Sequence, residues 1–130
     1  MAKSKKSVPA SIVWFEIPAD DISRAKKFYE SLFGWQIKPM PAAIHDYQHI
    51  KTGGADASPD GGMIPRMHPG QSITNYVMVA SVTRHMAKVK KLGGTICKPK
   101  TAVPGMGYFA ICTDTEDNTF ALWEMNPKAR

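Results

Sequence analysis

The chain repeats itself at an interval of about 60 residues, and that duplication limits its fold more than any single motif. Phe15 to Ile22 opens a strand-then-helix unit that closes at Leu32-Phe33-Gly34-Trp35, and Asn75 to Val82 opens a second that closes at Leu92-Gly93-Gly94-Thr95. Position by position, Ile17 falls on Val77, Ile22 on Val82, Leu32 on Leu92 and Gly34 on Gly94. With only 130 residues available, both copies are expected inside one domain at about 11–126, with half one at about 11–66, half two at about 73–126, and a polar tail over 1–10.

Local patterns give each half the order βαβββ. Ser11 to Pro18 alternates as a strand, with Trp14, Glu16 and Pro18 on one face and Val13, Phe15 and Ile17 on the other. Pro18 is expected to end that strand. Asp20 or Asp21 caps a helix carrying Ile22, Ala25, Phe28, Tyr29, Leu32 and Phe33 at helical period, with Gly34 as its stop. Short strands follow at Trp35 to Lys38, Tyr47 to Thr52 and Gly62 to Arg66. The second half repeats the order: strand Thr74 to Val79, helix Val82 to Gly93, strand Thr95 to Lys98, loop Thr101 to Gly107, then strands Tyr108 to Thr113 and Thr119 to Met125 around an Asp114 to Asn118 turn.

Composition excludes several classes. No apolar run reaches the roughly 18 residues of a membrane span, and the lysine-rich start is followed by no apolar signal segment, so a cytoplasmic protein without membrane contact is expected. The net charge of +6 comes from dispersed lysines, and no zinc-finger, helix-turn-helix or aromatic RNA-binding pattern accompanies it, so nucleic acid is not an expected partner. Cys97 and Cys112 lack a CxxC partner and read as reduced core cysteines. Neither a phosphate-cradling glycine motif nor a dinucleotide fingerprint is present, so no nucleotide cofactor is implied.

The duplicated βαβββ order resembles the glyoxalase/bleomycin-resistance/dioxygenase group, the vicinal oxygen chelate superfamily. So do Asp20 to Tyr29 before Leu32-Phe33-Gly34-Trp35, and Asp114 to Asn118 before Phe120-Ala121-Leu122-Trp123-Glu124. Gly61 to Arg66 and Pro99 to Tyr108 look similar to small bacterial proteins described as lactoylglutathione-lyase-related. The resemblance implies an α+β fold in which the tandem units form a curved, mostly antiparallel eight-stranded sheet around a cleft, helices outside. It also implies a small-molecule ligand and a homodimer.

Metal-dependent members of that group place His, Glu or Gln on inward strand positions, which by the resemblance fall here on Trp14, Thr74 and Ala121. None of these is a strong ligand for a divalent ion. A degenerate site with no metal and no cofactor is therefore expected. The alternative is a divalent-metal lyase, isomerase or dioxygenase-like enzyme with a displaced set containing Glu16, Tyr76 and His49. The expected ligand-facing residues are Trp14, Glu16, His49, Met63, Arg66, Thr74, Tyr76, Met78 and Trp123, with Ala121 beside them. Glu16, a carboxylate on an inward strand position among apolar neighbours, is the candidate general base with an expected raised pKa. Glu124 lies an odd number of residues from Ala121 and should face away. His45 and His49 are too far apart along a strand, about 13 Å, to share an ion, and His68 and His85 read as surface groups.

Overall fold

The computed structural model describes residues 8–40, 46–54 and 58–130. The chain divides into two compact units, residues 13–75 and residues 76–130 with the leading 12 residues. The order of elements is βαβββ twice, as the repeat predicts.

The first unit is built from β1 (Ile12–Ala19), α1 (Ile22–Phe33), β2 (Gln36–Pro39), β3 (Gln48–Lys51) and β4 (Asp60–Pro65). Its strand order is β2-β3-β4-β1, with β4 returning parallel to β1 and the other neighbours antiparallel. Pro18 does not end β1; it pairs with Ile64, and the strand runs one residue further. Asp21 caps α1 by accepting the Arg24 backbone N–H at 3.0 Å, and Gly34 stops it with φ of 72°, a left-handed conformation that favours glycine. One sheet face carries Ile17, Ala19, Ile37, Ile50 and Met63, on which Ile22, Ala25 and Tyr29 of α1 pack. Phe28, Leu32 and Phe33, which the helical period places with them, are more than half exposed. Periodicity identifies the side of a helix but not how far the core beneath it extends; Phe33 instead meets the Trp35 ring at 4.9 Å, tilted by 38°.

The second unit repeats the plan with β5 (Thr74–Met78), α2 (Val82–Lys91), β6 (Thr95–Val103), β7 (Gly107–Thr113) and β8 (Thr119–Met125), in the order β5-β8-β7-β6. Here β5 and β8 are parallel, and the other two pairings antiparallel. Ser81 caps α2 by accepting the Arg84 N–H at 3.1 Å, so both cap and donor fall 60 residues after Asp21 and Arg24. Helix termination shifts by one residue, because Gly93 rather than Gly94 takes the positive φ, 98°. Val79, Val82, Ala110, Cys112 and Leu122 form the core beneath α2, joined by Met86 and Val89, while Leu92 is left exposed. β6 continues to Val103 through two register irregularities, where the sequence suggested a loop from Thr101. Asp117 takes the positive φ of the β7–β8 hairpin, and Asp114 closes that turn by accepting from the backbone N–H groups of Glu116 and Asn118. Those bonds hold its carboxyl below the ordinary value. No described helix is long and apolar enough to cross a membrane.

The cysteines divide. Cys112 is fully buried but Cys97, expected in the core, is exposed, displaced at the bulge between the Ile96–Cys112 and Lys98–Ile111 pairs. Burial, and secondarily the nearness of Cys97, pushes the Cys112 thiol from 9.0 up to about 11. A raised folded pKa favours the neutral thiol. The resulting stabilisation is complete below the ordinary value and is lost as pH rises through about 11.

Two measurements check this packing. Ile50→Ala should lower the unfolding free energy in urea by about 3 kcal/mol, against less than about 1 kcal/mol for Leu32→Ala. With a chromogenic disulfide reagent at mildly alkaline pH, Cys97 should react in the native protein and Cys112 only after denaturation, and Cys112→Ala should flatten the alkaline loss of stability.

Candidate functional site

Strand register decides which side chains share the face turned away from α1. On β1 these are Trp14, Glu16 and Pro18; the paired residues of β4 are Asp60, Gly62 and Ile64, and Gly62 in turn pairs with His49 on β3. Tyr47, two residues before His49, falls on the same face by strand alternation. Its side chain is directed across the sheet over Gly62, where a Cβ would overlap the phenol oxygen and ring. Only glycine permits so close an approach at this position.

The buried Tyr47 phenol joins two other side chains. Trp14 Nε1–H donates to Tyr47 Oη at 2.9 Å, and Tyr47 Oη–H donates to Glu16 Oε2 at 2.8 Å. The His49 ring lies 5.6 Å from the Trp14 ring, tilted by 40°, and His49 Nε2 is 3.5 Å from Asp60 Oδ2. Asp60 also anchors the end of β3, its Oδ1 accepting the Thr52 backbone N–H at 3.1 Å. Trp14, Glu16, His49 and Asp60 are half-buried, so the face combines aromatic surface with a few fixed polar groups, the usual make-up of a small-molecule site.

The structure thus brings together Trp14, Glu16 and His49 of the residues expected from sequence, and adds Tyr47 and Asp60. Met63 is elsewhere: it pairs with Ile17 and is fully buried in the core under α1. Arg66 follows β4, where its Nε–H donates to Asp20 Oδ1 at 2.9 Å and its Nη1–H to the Gln71 carbonyl, so it ties the β1–α1 corner to the segment after β4. Thr74 is buried at the start of β5.

In the second unit Tyr76, Met78, Ala121 and Trp123 share the face turned from α2, as expected, and Phe109 joins them with its ring 6.4 Å from that of Tyr76. Glu124 faces the other way, as its odd spacing from Ala121 predicts, and its Oε1 accepts the Val82 N–H at 2.9 Å at the start of α2.

The displaced metal set can be tested on the donors. Oε2 of Glu16 accepts from the Tyr47 hydroxyl, His49 Nε2 faces Asp60, and among the described residues no three His, Cys, Asp or Glu side chains are grouped to hold an ion. A divalent-metal centre needs several converging ligands, and the described residues group fewer than three such side chains. His45 lies outside the described residues.

Comparison with known proteins places this geometry. Residues 11–53 match the bleomycin resistance protein-like N-terminal family. A glyoxylase-like domain-containing protein of Didymella fabae is 30% identical over 112 residues, covering 82% of this chain and 88% of that one. The chain belongs to the glyoxalase/bleomycin-resistance/dioxygenase superfamily. Mycobacterium tuberculosis CFP32, provisionally named a glyoxylase, is 31% identical over 117 residues, 87% of this chain but 45% of that protein, so the chain spans under half of that relative. A superfamily member from Vibrio splendidus shares the fold at a TM-score of 0.64 and 13% identity, over 90% of this chain and 99% of that one.

The half-exposed His49–Asp60 contact should contribute little by itself. His49→Ala should cost below about 1 kcal/mol in urea unfolding. Asp60→Ala should cost more, about 1–2 kcal/mol, because it also leaves the Thr52 N–H without its acceptor.

Proposed function

We propose that this glyoxalase-like chain binds a small, planar, partly apolar molecule on the face formed by Trp14, Tyr47, Glu16 and His49, without a metal ion. The observation that supports the reading is the Tyr47 phenol, which accepts from Trp14 Nε1–H and donates to Glu16 Oε2, joining an indole and a carboxylate on one face. A site organised in this way offers an indole and an imidazole as apolar contact area and a carboxylate as the polar anchor. In this reading Glu16 orients the ligand and is the group available to take a proton from it. In the second unit Tyr76, Met78, Phe109 and Trp123 form an apolar ligand-facing surface. The reading includes a cytoplasmic homodimer, in which the exposed Phe28, Leu32 and Phe33 are apolar surface that self-association would cover.

Calorimetric titration with Mn²⁺, Ni²⁺ and Zn²⁺ should show no tight event of one ion per chain, and methylglyoxal with glutathione should give no lactoylglutathione. Planar heteroaromatic fragments should shift the Trp14 indole N–H resonance, and Glu16→Gln should weaken the best of them by about tenfold, as loss of a charge-assisted hydrogen bond implies. One tight ion per chain that disappears in Glu16→Ala, or turnover of the hemithioacetal, would overturn the metal-free reading.

A further inference from the structure

His49 lies between two neighbours that hold it in different ways. Its ring rests against the Trp14 indole, 5.6 Å away and tilted by 40°, and its Nε2 faces Asp60 Oδ2 at 3.5 Å. Asp60 is anchored in turn: its other oxygen, Oδ1, accepts the Thr52 backbone N–H at 3.1 Å and lies 3.5 Å from Thr52 Oγ1. That anchor sets the rotation of the carboxyl, so Oδ2 is the oxygen turned to the imidazole. A carboxylate oxygen only accepts, and a neutral imidazole carries one N–H and one lone pair. Against Asp60 the favoured arrangement has the proton on Nε2 and the lone pair on Nδ1, because the opposite tautomer sets two lone pairs against each other.

From this geometry we infer that Asp60 is a positioning residue, which holds His49 in the Nε2–H tautomer and makes Nδ1 the nitrogen available to a ligand. The ligand class follows from that assignment. Nδ1 then only accepts, so His49 favours a ring that offers an N–H or O–H donor over one that offers acceptors alone. Among the described residues no protein donor meets Nδ1. A proton passed from such a donor to Nδ1 leaves the ligand as its conjugate base and the imidazole as a cation, whose Nε2–H faces a carboxylate. The half-exposed contact adds little to stability, but a small energy difference between two tautomers is enough to set a direction. His49 thus joins Glu16 as a second acceptor on the face, supported from behind by a carboxylate that the backbone of Thr52 holds.

The inference rests on the proposed function only in taking His49 as ligand-facing; its test needs no ligand, so the two fail separately. Long-range proton–nitrogen NMR spectra of the intact chain carrying isotope-labelled histidine distinguish the tautomers at a pH at which the imidazoles are neutral, with His49→Gln assigning the His49 signals. His85 is the internal contrast: its Nδ1 lies 3.0 Å from the Ser81 carbonyl oxygen, which only accepts, so His85 carries its proton on Nδ1. His49 should show the Nε2–H form in about tenfold excess. Asp60→Asn keeps an oxygen for the Thr52 N–H and turns its amide NH2 toward Nε2, so Nδ1–H should become the major form of His49 while His85 stays unmoved. A merely structural Asp60 predicts the same tautomer in both proteins. Nδ1–H as the major form of His49 in the unaltered chain, a result that needs no variant, overturns the assignment, and so does a folded Asp60→Asn in which Nε2–H persists.

Discussion

The candidate site depends on the parallel pairing of β1 with β4. That register sets Gly62 beside Glu16 and, through β4 and β3, beside His49. A one-residue slip exchanges the faces of β4, and in one direction it puts Met63 where Gly62 lies, closing the space the Tyr47 ring occupies. The same slip would lift Met63 away from Ile17 and out of the core under α1, so the apolar packing that stabilises the unit also enforces the register the site requires. Stability and site geometry are here one constraint seen from opposite faces of a single sheet.

The duplication makes the divergence of the halves informative. The caps are kept at a spacing of 60 residues, Asp21 and Ser81 each accepting an arginine N–H, and each helix covers an apolar face of its own unit. The other faces differ in chemistry. Where the first unit pairs Glu16 with Gly62 and His49, the second pairs Tyr76 with Ala121 and Ile111. A small residue stands on the parallel partner strand in both, but only the first half surrounds it with a carboxylate, a phenol and an imidazole. The polar chemistry is concentrated in one copy, and the other is aromatic and aliphatic, with Phe109, Met78 and Trp123 on the same face.

Much of this was legible in the sequence because it follows local periodicity. Alternation placed Trp14 with Glu16, and Tyr76 with Met78, and odd spacing turned Glu124 away from Ala121 toward the start of α2. The failures share a cause. Met63 lies in the core and Gly62 on the site face, a parity the sequence does not show because pairing between strands distant in sequence is not encoded in the glycine pair Gly61-Gly62 itself and is fixed only once β1 lies beside β4. Tyr47 carried a signal, its two-residue spacing from His49, but its importance comes from the empty volume above Gly62, a property of two strands rather than one. Phe28, Leu32 and Phe33 show the complementary limit: a helix can continue an apolar pattern beyond the sheet that gives it meaning.

The charge of the whole chain bears on this site less than its sum suggests. A total of +6 sets how solutes approach from a distance, but at physiological ionic strength interactions between exposed charges fade over about 8 Å. On this face of the first unit the described residues around Trp14 include Tyr47, Glu16, His49 and Asp60, two of them carboxylates in a basic protein. Glu16 in turn is not a bare charge, since its Oε2 accepts from the Tyr47 hydroxyl, whose oxygen accepts from the Trp14 indole. Donor and acceptor directions at such a face are a property that a net charge does not describe, and the bond from Trp14 to Tyr47 is one of them.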